Sequence, residues 1–231
     1  MPDFLDAPDR SPAARANGQP NDYFMVRERI TNRNFTDAFL IAPPENDTPF
    51  SWPSLYGSSQ PLEIDIGCGR GRFLLGRAKN CPHFNFLGID LSLLRLRKID
   101  RKATSGNLGN IRLIHGEALR ILEALPPESV STFYLYFPDP WPKRRHHTRR
   151  LVAPPFVDLI AKALVPKGTI HLCTDHVDYF LAMRHVWQGD RRFSETAPYI
   201  PAPEEETDFC LLFESQGLAP NRCSFKKWSP S

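Results

Sequence analysis

Hydrophobic positions along the chain fall into short apolar runs separated by stretches with a helical period. Leu62-Glu-Ile-Asp-Ile66, Phe84-Asn-Phe-Leu-Gly-Ile-Asp90, Ile111-Arg-Leu-Ile-His115, Ser131-Thr-Phe-Tyr-Leu-Tyr-Phe137 and Gly168-Thr-Ile-His-Leu-Cys-Thr174 read as buried strands. Between them, Arg72–Lys79, Leu93–Ser105, Ala118–Leu125, Phe156–Leu164 and Tyr179–Gln188 carry helical spacing. In the second of these, Leu96, Ile99 and Ala103 share one face, and Arg95, Arg97, Lys98, Arg101 and Lys102 cover the rest as solvated charge. Pro126-Pro127 stops the third helix and Pro166-Lys-Gly168 the fourth. Thr207–Gly217 reads as a last helix and Arg222–Trp228 as a last strand. Strand and helix alternate throughout, which predicts an α/β fold, a doubly wound sheet of parallel strands with helices on both faces.

The flanks read differently. Residues 1–21 are polar, with Pro2, Pro8, Pro12 and Pro20, and are expected to form a mobile tail. Residues 22–60 form an arm and a connection. Tyr23–Phe35 mixes apolar residues with Arg27, Arg29 and Arg33 and is expected to pack on the domain with its charges in water. Pro43–Gln60 holds four prolines and is expected to be irregular. The remaining span, 61–231, is the domain. Five scattered cysteines make no CxxC pair and no zinc spacing, so neither a metal nor a disulfide framework is expected. With no long apolar segment and no secretion signal, no membrane association is expected and the cytoplasm is the default location. A net charge of +3 is mild, so a polyanionic partner has to be met by a local patch.

Two stretches carry candidate chemistry. The first is Gly67-Cys-Gly-Arg-Gly71, wedged between a strand and a helix start. Glycines at Gly67, Gly69 and Gly71 let the backbone turn sharply and let a ligand approach without meeting a Cβ. The spacing is not the Gly-x-Gly-x-x-Gly of dinucleotide sites. Asp65 precedes this turn at its strand tip, Asp90 ends the second strand about 20 residues on, where ribose hydroxyls are held, and Glu117 follows the third. Asp90 could equally cap the next helix, and Glu117 could equally be a helix-start acid favoured by the dipole. Acids in this crevice would repel a pyrophosphate but suit a sulfonium with free ribose hydroxyls. S-adenosylmethionine is therefore favoured over a nicotinamide dinucleotide.

The second stretch is Phe137-Pro-Asp-Pro-Trp-Pro-Lys-Arg-Arg-His-His-Thr-Arg-Arg150. Three alternate prolines stiffen it and hold Asp139 at a strand's C-terminal end, where ligands bind in open parallel sheets. Lys143, Arg144, Arg145, Arg149 and Arg150 then make a dense positive patch. Asp175, ending the fifth strand, falls at the same sheet edge. A carboxylate on a stiff loop beside a phosphate-attracting patch suggests chemistry on a nucleic acid.

These residues carry a resemblance. Phe137-Pro-Asp-Pro-Trp-Pro-Lys-Arg-Arg-His-His-x-Arg-Arg-Leu151 looks like the signature of the tRNA (guanine-N7-)-methyltransferases of the bacterial TrmB type. Asp65-Ile-Gly-x-Gly-x-Gly71, Gly88-Ile-Asp90, Gly116-Glu-Ala118, Thr174-Asp175 and Thr207-Asp-Phe209 are similar to the family's further motifs, over about Leu62 to Trp228. The resemblance implies a Rossmann-like methyltransferase fold with a mostly parallel seven-stranded sheet. It implies that Asp65, Gly67, Gly69, Gly71, Asp90, Glu117 and Asp139 hold S-adenosylmethionine and that Asp139 is the catalytic-loop acid. It also implies that Lys143, Arg144, Arg145, Asp175, Thr207 and Asp208 meet the tRNA, whose variable-loop guanosine is the family's usual target. A monomer or weak homodimer is expected. Asp65 and Asp90 replace the family's Glu, Glu117 replaces its Asp, and Cys210 stands where the family has Glu. The rival readings are a methyltransferase acting on an exocyclic amine and a tRNA-binding protein that kept the fold with impaired catalysis.

Overall fold

The computed structural model describes residues 37–43 and 50–229. The expected tail 1–21 and the arginines of the arm, Arg27, Arg29 and Arg33, lie outside the described residues. Strands β1 (Leu40–Ile41), β2 (Leu62–Ile66), β3 (Asn85–Asp90), β4 (Ile111–His115), β5 (Val130–Tyr136), β6 (Leu164–Thr174), β7 (Phe193–Thr196) and β8 (Asn221–Lys227) form one sheet in the order β1-β4-β3-β2-β5-β6-β8-β7. All pairs from β1 to β6 are parallel; β8 runs antiparallel to both β6 and β7. The helices are α1 (Trp52–Tyr56), α2 (Arg72–Asn80), α3 (Leu93–Ser105), α4 (Ala118–Glu123), α5 (Pro154–Ala163), α6 (Val177–Gln188) and α7 (Asp208–Ser215).

The α/β class and the helices on both faces follow the sequence pattern, because alternate strand residues point to opposite faces. Leu87 and Ile89 of β3 join the core with α4, α5 and α6, through Ile121, Phe156, Ile160, Met183 and Trp187. Phe86 joins the opposite core with Leu74 and Ala78 of α2 and Leu96, Ile99 and Ala103 of α3. From β2 the chain adds strands on one side to β4 and then crosses back to place β5 on the other. The crevice between β2 and β5 is therefore the topological switch point, where ligands bind in such sheets.

Three expectations are corrected. The described sheet has eight strands, not seven. The six strands read from the sequence pattern are joined by the two-residue β1 and by β7, whose Phe193 packs beside Trp187 at 4.8 Å. Pro43–Gln60 is not wholly irregular, since α1 starts with Pro53 in its first turn, where a missing N–H costs nothing. Pro166-Lys-Gly168 does not follow a helix as its stop. The helix already ends at Ala163, and β6 begins at Leu164 and runs through these residues as a bulge with Lys167 at φ 67°.

Candidate active site

The run Leu62-Glu-Ile-Asp-Ile66 is buried at all five positions, as expected of it, and its acid face lies under Arg77 of α2 and beside Tyr134. Two carboxylates thus go underneath a helix, and the fold treats them differently. Glu63 accepts two hydrogen bonds from Arg77, at 3.0 and 3.1 Å, and one from Tyr134 Oη at 2.9 Å. Burial first, and Glu63 next, push the Tyr134 phenol well up, so it stays a donor. Asp65 receives none of this. Burial first, and the neighbouring Asp90 second, raise its carboxyl from the usual 3.8 to about 7.

The turn after β2 is built to leave room there. Gly67 and Gly69 sit at φ 76° and 56°, and a Cβ on Gly67 would meet nothing within 4 Å. Gly71, at φ 73°, has a different job: a Cβ would fall 2.5 Å from Ile99, so its absence lets α2 and α3 pack. Asp90 ties this turn to β3, accepting from Gly69 N at 2.8 Å and from Ser92 N at 2.7 Å. Asp90 therefore fixes the turn and starts α3 while it borders the crevice. Glu117 flanks α4 with its side chain exposed and makes no capping bond.

Sheet order sets the acids in a row. The tips of β4, β3, β2, β5 and β6 carry Glu117, Asp90, Asp65, Asp139 and Asp175. At about 4.8 Å per strand, the five tips span about 19 Å. Phe137, at φ 52° with its N–H on Cys173 O at 2.7 Å, turns the chain off β5, and Trp141 at φ 43° turns it again. Asp139 lies exposed between these two bends. Lys143 then caps a 3-10 turn, Arg144–Arg149, on which Arg144, Arg145 and Arg149 are exposed. Arg149 stacks over Trp141 at 4.9 Å. Arg150 is not part of the exposed patch. It donates to Pro140 O at 2.8 Å, pairs with Asp178 and lies over Tyr179 at 4.8 Å, so it braces the Asp139 loop from beneath.

The last helix is brought to the same edge by contacts that the sequence pattern did not signal. Tyr199 donates to Glu205 at 2.6 Å, Arg77 reaches Glu205 at 3.8 Å, and Arg72 donates to Glu206 O at 2.8 Å. Gly76 lets this segment approach, since a Cβ would lie 2.6 Å from Glu204 O. The docked segment delivers Thr207 as the N-cap of α7, accepting from Cys210 N at 3.0 Å, and sets Asp208 3.9 Å from Arg70 of the glycine turn. Phe209 stacks on Phe137 at 5.4 Å with more than half its surface exposed, a platform beside Asp139. An aromatic at a helix start gave no sign of this on its own.

A sequence model of the family described as "Putative methyltransferase" matches residues 59–216. A tRNA (guanine-N(7)-)-methyltransferase of Rubrobacter xylanophilus is 35% identical over 79% of this chain and 84% of its own. One of Psychromonas ingrahamii is 35% identical over 84% of this chain and 82% of its own. The chain belongs to the tRNA (guanine-N7-)-methyltransferase family. Among solved structures, the 16S rRNA methyltransferase KamB superposes with a TM-score of 0.58 at 18% identity, over 79% of this chain and 96% of that one, which shows the shared fold.

Against the tRNA (guanine-N7-)-methyltransferase pattern the departure at Cys210 has a structural answer. Cys210 is fully buried, its Sγ 3.2 Å from Arg222 and beside Cys173, while Arg222 is held by Glu206 at 3.1 Å. The thiol faces the interior, packed against Arg222 and Cys173.

Proposed function

We propose that this protein transfers the methyl group of S-adenosylmethionine to N7 of a guanosine in tRNA, and that the variable-loop guanosine is its target. Asp65 carries the reading: an ionisable group buried without a counter-charge, at the switch point, beside a glycine turn with open space. The residues present fit the cofactor. Asp65 would meet its cationic part, Asp90 and Glu117 its ribose and adenine, and Gly67, Gly69 and Gly71 its close approach. When bound, S-adenosylmethionine supplies an electrophilic methyl group on sulfur.

Guanine N7 offers a lone pair and no proton, so the chain needs no general base. Its residues act by placement, an effect worth several kcal/mol. Asp139, one strand from Asp65, accepts from the guanine N–H groups and offsets the positive charge that arrives on the ring. Asp175 stands one strand further on. Lys143, Arg144 and Arg145 hold the backbone, with Thr207 and Asp208 closing the edge; recognition of this kind reads phosphate and shape. Incubation with bulk tRNA and labelled cofactor, followed by strand scission at the labile modified base, tests the reading. Scission in the variable loop is expected. Label on an exocyclic amine, or none on tRNA, would overturn it.

A further inference from the structure

Charged residues at the two sides of the sheet are managed differently. On the α6 and β7 side, Arg184 is matched by Glu195 at 2.7 Å, and Arg192 by Asp158 and Asp190 at 2.5 and 2.6 Å. Over α3 the composition differs. A groove of about 720 Å³ runs from the glycine turn to Gly106, and among the described residues every charged residue lining it is basic: Arg70, Arg95, Lys98, Arg101 and Lys102. The acid on this helix, Asp100, is buried and accepts from Phe39 N at 2.7 Å. Arg70 and Arg95 reach carboxylates only at 3.9 and 4.0 Å, and Lys98 and Lys102 form no ion pair among the described residues. Like charges at this helical spacing destabilise a helix unless something offsets them.

The spacing is also ordered. Arg95, Lys98 and Lys102 fall at i, i+3 and i+7, one stripe along α3 about 10 Å long. A second groove of about 770 Å³, between α2 and α3, shares Arg70 and Lys102 and ends at Asp208. Cations thus continue from the groove over α3 around the glycine turn to Arg72 and Lys79, interrupted by Glu204 and Asp208. A protein with a net charge of only +3 concentrates five cations in this one concavity.

We infer that the groove over α3 is a second phosphodiester-binding surface, which holds tRNA backbone away from the nucleotide presented to Asp139. This rests on tRNA being the substrate. It extends the contact surface beyond the basic turn after Asp139, two strands away in the sheet, and makes recognition depend on two separated phosphate clusters. A folded RNA then has to match both, whereas a short strand reaches one.

The test uses the full chain, wild type and the variants Lys98→Gln/Lys102→Gln and Lys98→Glu/Lys102→Glu, with Lys226→Gln at the far end of the sheet as control. Filter binding to bulk tRNA across a salt series should lose about 0.7–0.9 from the log–log slope for each neutralised contact. The KM for tRNA should rise with Kd, more for the Glu pair than the Gln pair, while kcat at saturating tRNA stays within about twofold. Calorimetry with S-adenosylmethionine should give the wild-type affinity, which shows that the fold survives. An unchanged slope and KM in both double variants overturns the inference, as does an equal loss in Lys226→Gln. Groove-dependent binding by a wild type that leaves guanine N7 unmethylated would support the groove and sink the proposed reaction, so the two ideas fail separately.

Discussion

Glu63 and Asp65 lie two residues apart on the same face of the same strand, both at least 96% buried, and the protein uses them in opposite ways. Around Glu63, Arg77, Tyr134, Tyr199 and Glu205 close a network that pins the Glu205 segment onto α2. Asp65 has no ion pair among the described residues, and its neighbour Asp90 meets only Arg95, at 4.0 Å. Burial makes each unpaired charge costly, so a partnered acid holds the fold together and an unpartnered one stores affinity for a ligand. The inner end of β2 is a structural joint, and its tip holds a carboxyl that burial and Asp90 push up.

That contrast breaks if substitutions at the joint and at the rim have similar consequences. The largest effect on stability is expected at the joint. Glu63→Ala takes both short hydrogen bonds from Arg77, leaving it Glu205 at 3.8 Å, and strips the acceptor from Tyr134, which should cost about 3–5 kcal/mol in denaturant unfolding; a cost under about 1 kcal/mol would erase the distinction. Asp139→Ala should leave unfolding unchanged and lower methylation about 10²–10³-fold; turnover within tenfold of wild type would remove Asp139 from the chemistry.

Asp65→Asn sharpens the comparison because its sign is unusual. The carboxyl titrates near 7 in the folded protein against an ordinary 3.8, so between those values the folded state holds a proton that the unfolded state has released. Wild-type stability without cofactor therefore falls as pH rises from about 4 to about 7 and levels off above. The Asn variant lacks this slope, and thermal unfolding should show its advantage growing over that window. Its affinity for S-adenosylmethionine should drop at least about tenfold at pH 8, and the wild-type gain in affinity as pH rises toward 7 should vanish. The smallest effect belongs to the exposed patch. Arg144→Gln/Arg145→Gln should weaken tRNA binding and lower the salt slope by up to about 1.8, with stability untouched.

The resemblance read from the sequence covers the family, the glycine turn and the identity of the rim acids, because each is a local pattern: an apolar run, then glycines or an acid at its end. The same local reading miscast Arg150. One more arginine in a basic run looks solvated, and only its neighbours from α6 reveal that it braces the loop. It also could not separate Glu63 from Asp65, since the residues that partner Glu63 lie 14, 71 and 142 positions further along the chain or reach it through one that does.

By itself, then, the sequence determined six of the eight described strands, in what order acids and glycines reach their ends, and where positive charge is dense. The tertiary structure alone decided which of those charges are spent on the fold and which are left at the strand tips. The physical reason is that local preference fixes a backbone over a few residues, whereas compensation of a buried charge depends on atoms brought close from distant parts of the chain, and here it is the docking of the Glu205 segment and α7 onto α2 that sorts one kind from the other.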